Sequence, residues 1–154
     1  MKLTGPHDAR CLAFTDVERN LLTEVFAAVA QEIRGSERTD PVTERLFPAA
    51  YEDAGLAAEF RGLTETDLRD ERMERLERTA REVEATAGQV PLSQASADRW
   101  IRVLNDTRLV LGTRLGVTDD YDHDFGPQDA DAAEKSVYLW LTAVQDAIVT
   151  ELLG

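Results

Sequence analysis

A chain of 154 residues that is 43% hydrophobic but only 6% aromatic is long enough to bury a core, packed mainly by Leu, Val and Ala between helices. Its net charge of -13 and isoelectric point near 4.5 disfavour unassisted binding to nucleic acid or anionic membrane, because phosphate affinity depends on clustered Lys and Arg that release counterions. A lone Cys11 excludes an intrachain disulfide framework. Met1 to Arg10 lacks the apolar core of a signal segment, and no stretch approaches the 18 apolar residues of a membrane span, so the expectation is a soluble cytoplasmic protein.

In chain order, Arg10 to Phe14 is a short run suited to an edge strand. Thr15 and Glu18 then fit a capping box. They open a helix with Val17, Leu21, Leu22, Val25, Phe26, Val29 and Ile33 at three- and four-residue steps, ending near Gly35. Asp40 before Pro41 starts a short helix toward Leu46 and Phe47, where Pro48 interrupts. Asp53 caps another short helix through Phe60, and Thr64 with Asp67 resembles a second capping box. From Glu65 to about Thr86 a charged helix follows. Its apolar seam is narrow, carried by Leu68, Leu76, Ala80, Val83 and Ala87.

On this helix Arg69, Arg72, Arg75, Arg78 and Arg81 recur every third residue. Three-residue steps fall short of a full turn by about 60°, so the arginines spiral around the axis. Glu71, Glu74, Glu77, Glu82 and Glu84 lie at spacings that allow pairing along the helix. The array reads either as a solvated, salt-bridged face or as an interaction face in which Arg69, Arg72, Arg75 and Arg78 meet a partner or nucleic acid. Gly88 breaks the helix. Gln89 to Leu92 offers a second short strand beside Arg10 to Phe14, confined to an edge by Pro91.

Ser93 or Ser96 caps the central helix and Gly116 ends it. On a wheel of about 100° per residue, Ala97, Trp100, Ile101, Leu104, Leu111 and Leu115 share one face, Val103 and Val110 extend one flank, and Leu109 the other. A helix apolar over most of its girth packs on several sides. Arg108 falls inside the apolar face, Asn105 and Gly112 at its edge, Arg114 on its margin, and Asp106 and Thr113 opposite. Arg108 reads as an internal ion pair or carbonyl cap that fixes how elements dock, or as part of a polar pocket or partner contact with Asn105.

From Gly116 through Glu134 there are seven carboxylates and no Lys or Arg. Asp120, Asp122 and Asp124 match the first three ligand positions of an EF-hand loop. Phe125 then stands where Gly is needed, and Asp131 where a longer Glu would bind bidentately, so these remain weak cation candidates beside the reading of a solvated linker. The last helix opens near Asp131 and carries Val137, Leu141, Val144, Ile148 and Leu152, with Trp140 beside the stripe.

His7 and His123 lack zinc-site spacing, and Cys11 is a small buried side chain or a redox thiol. No nucleophile, P-loop or dinucleotide motif is present, so neither an enzyme nor a cofactor is expected. The expected architecture is a mostly all-α single domain over 1–154: a bundle of about four longer helices plus short helices, with room for one two-stranded β-ladder.

The run LNDTRLVLGTRLGVTDD is preceded by LFPAAYED at Leu46 to Asp53 and EFRGLTETDLR at Glu59 to Arg69, and followed by YLWLTAVQDAIV at Tyr138 to Val149. Together these resemble, over nearly the whole chain, an actinobacterial family long catalogued as a domain of unknown function. Its members are now labelled oxidative stress transcriptional regulator AosR, and their genes neighbour those of the protease adaptor ClpS and a Mec-type metallopeptidase with cysteine-synthesis genes. The resemblance implies a regulatory role. With Cys11 alone, a redox response would take the form of sulfenylation, a mixed disulfide or an intermolecular bridge.

Two functions follow, with an enzyme or metal-binding protein that carries no recognisable motif as a distant third. One is a non-enzymatic regulator acting through protein contacts, with a transcription component or a proteolysis adaptor as partner. The other is a direct DNA-binding regulator, which needs a local positive face on the charged helix or an unrecognised helix-turn-helix. Oligomeric state is not legible.

Overall fold

A computed structural model describes residues 1–35, 54–116 and 131–154, with side chains of the middle segment described from residue 67. The short helix expected after Asp40, the Asp53 cap, and the loop bearing Asp120, Asp122, His123 and Asp124 lie outside the described residues.

Among the described residues three strands and four helices succeed one another as β1 (Lys2–Thr4), β2 (Cys11–Ala13), α1 (Asp16–Gly35), α2 (Ala54–Ala85), β3 (Gln89–Pro91), α3 (Gln94–Leu115) and α4 (Ala132–Leu153), with a 3-10 turn at His7–Ala9. The mostly helical class is as expected. The sheet, however, has three antiparallel strands in the order β1-β2-β3, not two. The run around Cys11 is therefore the central strand, with Leu12 opposite both Leu3 and Val90. β1 escaped notice because three residues with a single apolar side chain carry almost no alternation. Leu12 and Val90 are buried on the inner face. Cys11 stands on the outer face with Thr4 and Pro91 opposite it, and Pro91 occupies an edge strand, where its missing N–H costs least.

The first capping box forms as read: the Thr15 N–H donates to Glu18 Oε2 at 2.8 Å and the Glu18 N–H to Thr15 Oγ1 at 3.2 Å. The second does not. Thr64 and Asp67 lie within α2, which runs unbroken from Ala54 to Ala85, so the expected short helix through Phe60 is part of one long helix. Ser93 caps α3 through Ser96 in a reciprocal box, and Gly116 closes it at φ 69°, a left-handed conformation that favours glycine.

The end of α2 is a Schellman turn, with the Gly88 N–H on Val83 O at 3.0 Å and the Ala87 N–H on Glu84 O at 3.2 Å. Ala87 takes φ 50° and Gly88 φ 82°. A Cβ on Gly88 would lie 2.9 Å from Phe14 O and 2.7 Å from the Arg19 side chain, so this glycine is needed for close approach as well as for its backbone angle. Through that approach the Phe14 N–H donates to Gly88 O at 2.9 Å, tying the end of α2 to the sheet.

The core gathers Leu22, Phe26, Val29 and Ile33 of α1, Leu76 and Val83 of α2, and Leu141, Val144 and Ile148 of α4 around α3. Its centre is Trp100, fully buried, stacked on Phe14 at 5.6 Å between ring centroids and tilted against Phe26 at 6.2 Å. Phe14 also meets Trp140 edge-on at 6.3 Å. Val17 and Leu68, expected in apolar stripes, are exposed instead. Among the described residues no helix is long and apolar enough to cross a membrane.

Candidate interaction site

The buried face of α3 is turned from the expected one toward Val103, Thr107 and Val110, while Ile101, Leu111 and Leu115 are only half-buried. Asp106, placed opposite the apolar face by the wheel, is 7% exposed. The reason is packing on several sides: α1 and α2 cover one flank of α3 and α4 another, so the wheel's polar side becomes interior.

The charged groups of α3 then reach all three neighbouring helices. Asp106 pairs with Arg72 of α2, Arg114 with Glu32 of α1, and Arg99 with Glu82 of α2. Arg108 meets no carboxylate among the described residues. It donates to Gln145 Oε1 and lies over the Tyr138 ring, 5.4 Å from its centroid, and its Nε is buried without a bond. Gln145 in turn donates from Nε2 to Ile101 O at 3.2 Å. Among the described residues Arg108 thus makes neither an ion pair nor a carbonyl cap. Thr113 Oγ1 donates to Leu109 O at 2.7 Å, and Asn105 is exposed, apart from the buried polar groups.

The arginine helix also differs from a simple salt-bridged face. Among the described residues one pair runs along α2, Arg75 with Glu71 at 3.9 Å. The others run between helices, including Arg34 of α1 with Glu77 at 3.1 Å. Arg72 turns inward and Arg69 is half-buried, while Arg78 is exposed, so the four candidates do not form one surface.

A second set of residues does come together. Glu71, Glu74, Arg75, Arg78 and Arg99 line a depression of about 180 Å³, and Arg78, Arg81, Glu82, Ala85 and Arg99 line its neighbour of about 270 Å³. The two share Arg78 and Arg99 and make one crease between α2 and α3. Its floor is fixed: Arg99 donates from Nε to Thr79 Oγ1 at 3.2 Å and from Nη2 to Glu82, whose carboxylate also accepts the Trp100 indole N–H at 3.2 Å. The pairing of Arg99 with Glu82 is not legible in the sequence, where it shows only as opposite charges on two separate helices.

Cys11 is partly exposed on the outer sheet face. Glu151 of α4 accepts from Arg10 Nε at 3.0 Å and lies 3.2 Å from His7 Nδ1, and the Arg10 hydrogen bond holds its carboxyl below the ordinary value. Among the described residues no group of three or more His, Cys, Asp or Glu could hold a metal ion.

The chain is 28% identical over 129 residues to the oxidative stress regulator AosR of Mycobacterium tuberculosis and, equally, to that of Mycobacterium bovis, an alignment covering 75% of this chain and 59% of each relative. A Mycobacterium leprae relative is 29% identical over 112 residues, 72% of this chain and 52% of that one. The chain thus spans less than two thirds of the length of the curated relatives it matches. No solved structure matches it. A family match extends over residues 4–152, from β1 to the last turn of α4, and the chain belongs to that family, described as a domain of unknown function, DUF2017.

Proposed function

We propose that the protein is a non-enzymatic regulator that works in the cytoplasm through protein–protein contacts, and that its contact surface is the arginine-lined crease between α2 and α3. The regulatory part is supported by the names of the mycobacterial relatives. The contact surface is carried by one observation: Arg78 and Arg81 are exposed side by side with no carboxylate paired to them among the described residues, in a chain with 30 acidic against 17 basic residues. In a chain with a net charge of -13, this locally basic crease suits a partner that presents an acidic segment, on a transcription component or a proteolysis adaptor. Cys11, as the chain's one thiol, would signal oxidation through a bond to another molecule.

Crosslinking in the native cell, then purification of the full chain and mass spectrometry, tests this reading. A specific partner recovered in stoichiometric yield supports it, and a chain that recovers nothing above a mock control overturns it. The alternative, direct DNA binding, requires more of the α2 arginines than Arg72 and Arg75 leave available. Anisotropy with promoter DNA at about 50 mM salt separates the two, since a phosphate-driven contact is strongest at low salt.

A further inference from the structure

We propose that the crease shared by Arg78 and Arg99 is a docking site for an acidic segment of a partner protein, one that presents spaced carboxylates. This rests on the reading that the chain acts through protein contacts and names what those contacts recognise.

Against the acidic whole, the crease is lined by four arginines, Arg75, Arg78, Arg81 and Arg99, and three glutamates, Glu71, Glu74 and Glu82; Arg75 and Arg99 pair with Glu71 and Glu82, so the positive charge it offers is that of Arg78 and Arg81 at the rim. Arg102 follows Arg99 three residues on, exposed and likewise without a carboxylate among the described residues. Arg99 is the anchored member. Glu82 and Thr79 hold its Nη2 and Nε, and its Nη1 makes no hydrogen bond among the described residues. A guanidinium already immobilised, with one edge of its fork unspent, loses little entropy when it takes a carboxylate. Arg78 and Arg81 supply mobile guanidinium groups at the rim that can close on the same ligand in a bidentate manner.

The acidic groups in and around the crease decide between ligand classes. Glu71 and Glu74 line one end, Glu82 the other, and Glu77 and Glu84 are exposed on the same helix. A nucleic acid, with a phosphate at every step, would meet these carboxylates as well as the arginines, and its attraction would largely cancel. A peptide with carboxylates only at intervals can set each against an arginine and leave neutral residues beside the glutamates. Enrichment of arginine at interface hot spots fits the same occupant.

The test uses the full chain and a short labelled peptide of alternating Glu and Ser, with the matching Lys-Ser peptide and a single-stranded oligonucleotide as comparisons. Binding is read by anisotropy at about 50 mM salt. The acidic peptide is expected to bind, the Lys peptide not, and the combined Arg78→Gln and Arg81→Gln protein to bind about tenfold more weakly. Both side chains are exposed and meet no carboxylate among the described residues, so the fold tolerates this change, as circular dichroism would verify. Failure of the acidic peptide to bind, equal binding by the substituted protein, or tighter binding of the oligonucleotide through the same two arginines would overturn the proposal. If crosslinking recovers a partner equally with both proteins, the crease is wrong while the regulatory reading stands. If the wild-type chain recovers none, that reading fails and the peptide titration alone decides what the crease takes.

Discussion

Asp106 is the most deeply placed carboxylate with a described partner, 7% exposed and paired with Arg72, whose side chain is 19% exposed. Removing Asp106 takes from a mostly buried Arg72 its described carboxylate, so Asp106→Ala should cost about 3 kcal/mol in urea unfolding, whereas Asp106→Leu combined with Arg72→Met should recover most of it. A loss in the single variant below about 1 kcal/mol would mean that solvent screens the pair. Arg108 predicts a different pattern, because its partners are neutral. Arg108→Met should cost about 1–2 kcal/mol through the lost Gln145 hydrogen bond and Tyr138 contact. If the variant instead keeps full stability and loses a crosslinked partner, Arg108 belongs to the contact surface.

At the level of elements, the turn joining α2 to β3 holds an alanine in a left-handed conformation, and Ala87→Gly should therefore raise stability by about 0.5–1 kcal/mol, read from the thermal midpoint. Gly88→Ala should do the reverse and more, since its new Cβ would strike Phe14 O and break the tie between α2 and the sheet. The helices were legible because their signals are local: the Thr15–Glu18 box, the repeating stripe of α1 and α4, and the glycines at 88 and 116. What failed was decided at a distance. The merging of the segment before Thr64 into α2 overrode a plausible cap, β1 exists only because β2 offers it a register, and the burial of Asp106 depends on which helices lie against α3. The crease was illegible for the same reason, as its arginines come from two helices.

For the whole molecule, charge is the dominant property, and the pH response follows from particular groups. Burial raises the Glu18 carboxyl pKa, but hydrogen bonds from the N-terminal ammonium and the Thr15 N–H outweigh it, and the net effect is a lowered value. The folded carboxyl thus stays ionised where the unfolded one is protonated. Its contribution is complete above the ordinary carboxylate range and is lost as pH falls through the lowered value. Urea unfolding of wild type and Glu18→Gln should differ at neutral pH and converge in acid. A gap that persists at low pH would trace the effect to packing. Finally, the indole of Trp100 shares Glu82 with Arg99, and Glu82 walls the crease, so the buried tryptophan is wired to the surface by a single carboxylate. A ligand carboxylate taken by the free edge of Arg99 changes the charge near the ring, making intrinsic fluorescence an unlabelled optical readout of occupancy. Substituting Glu82 by Gln should silence that signal while Trp140 continues to emit.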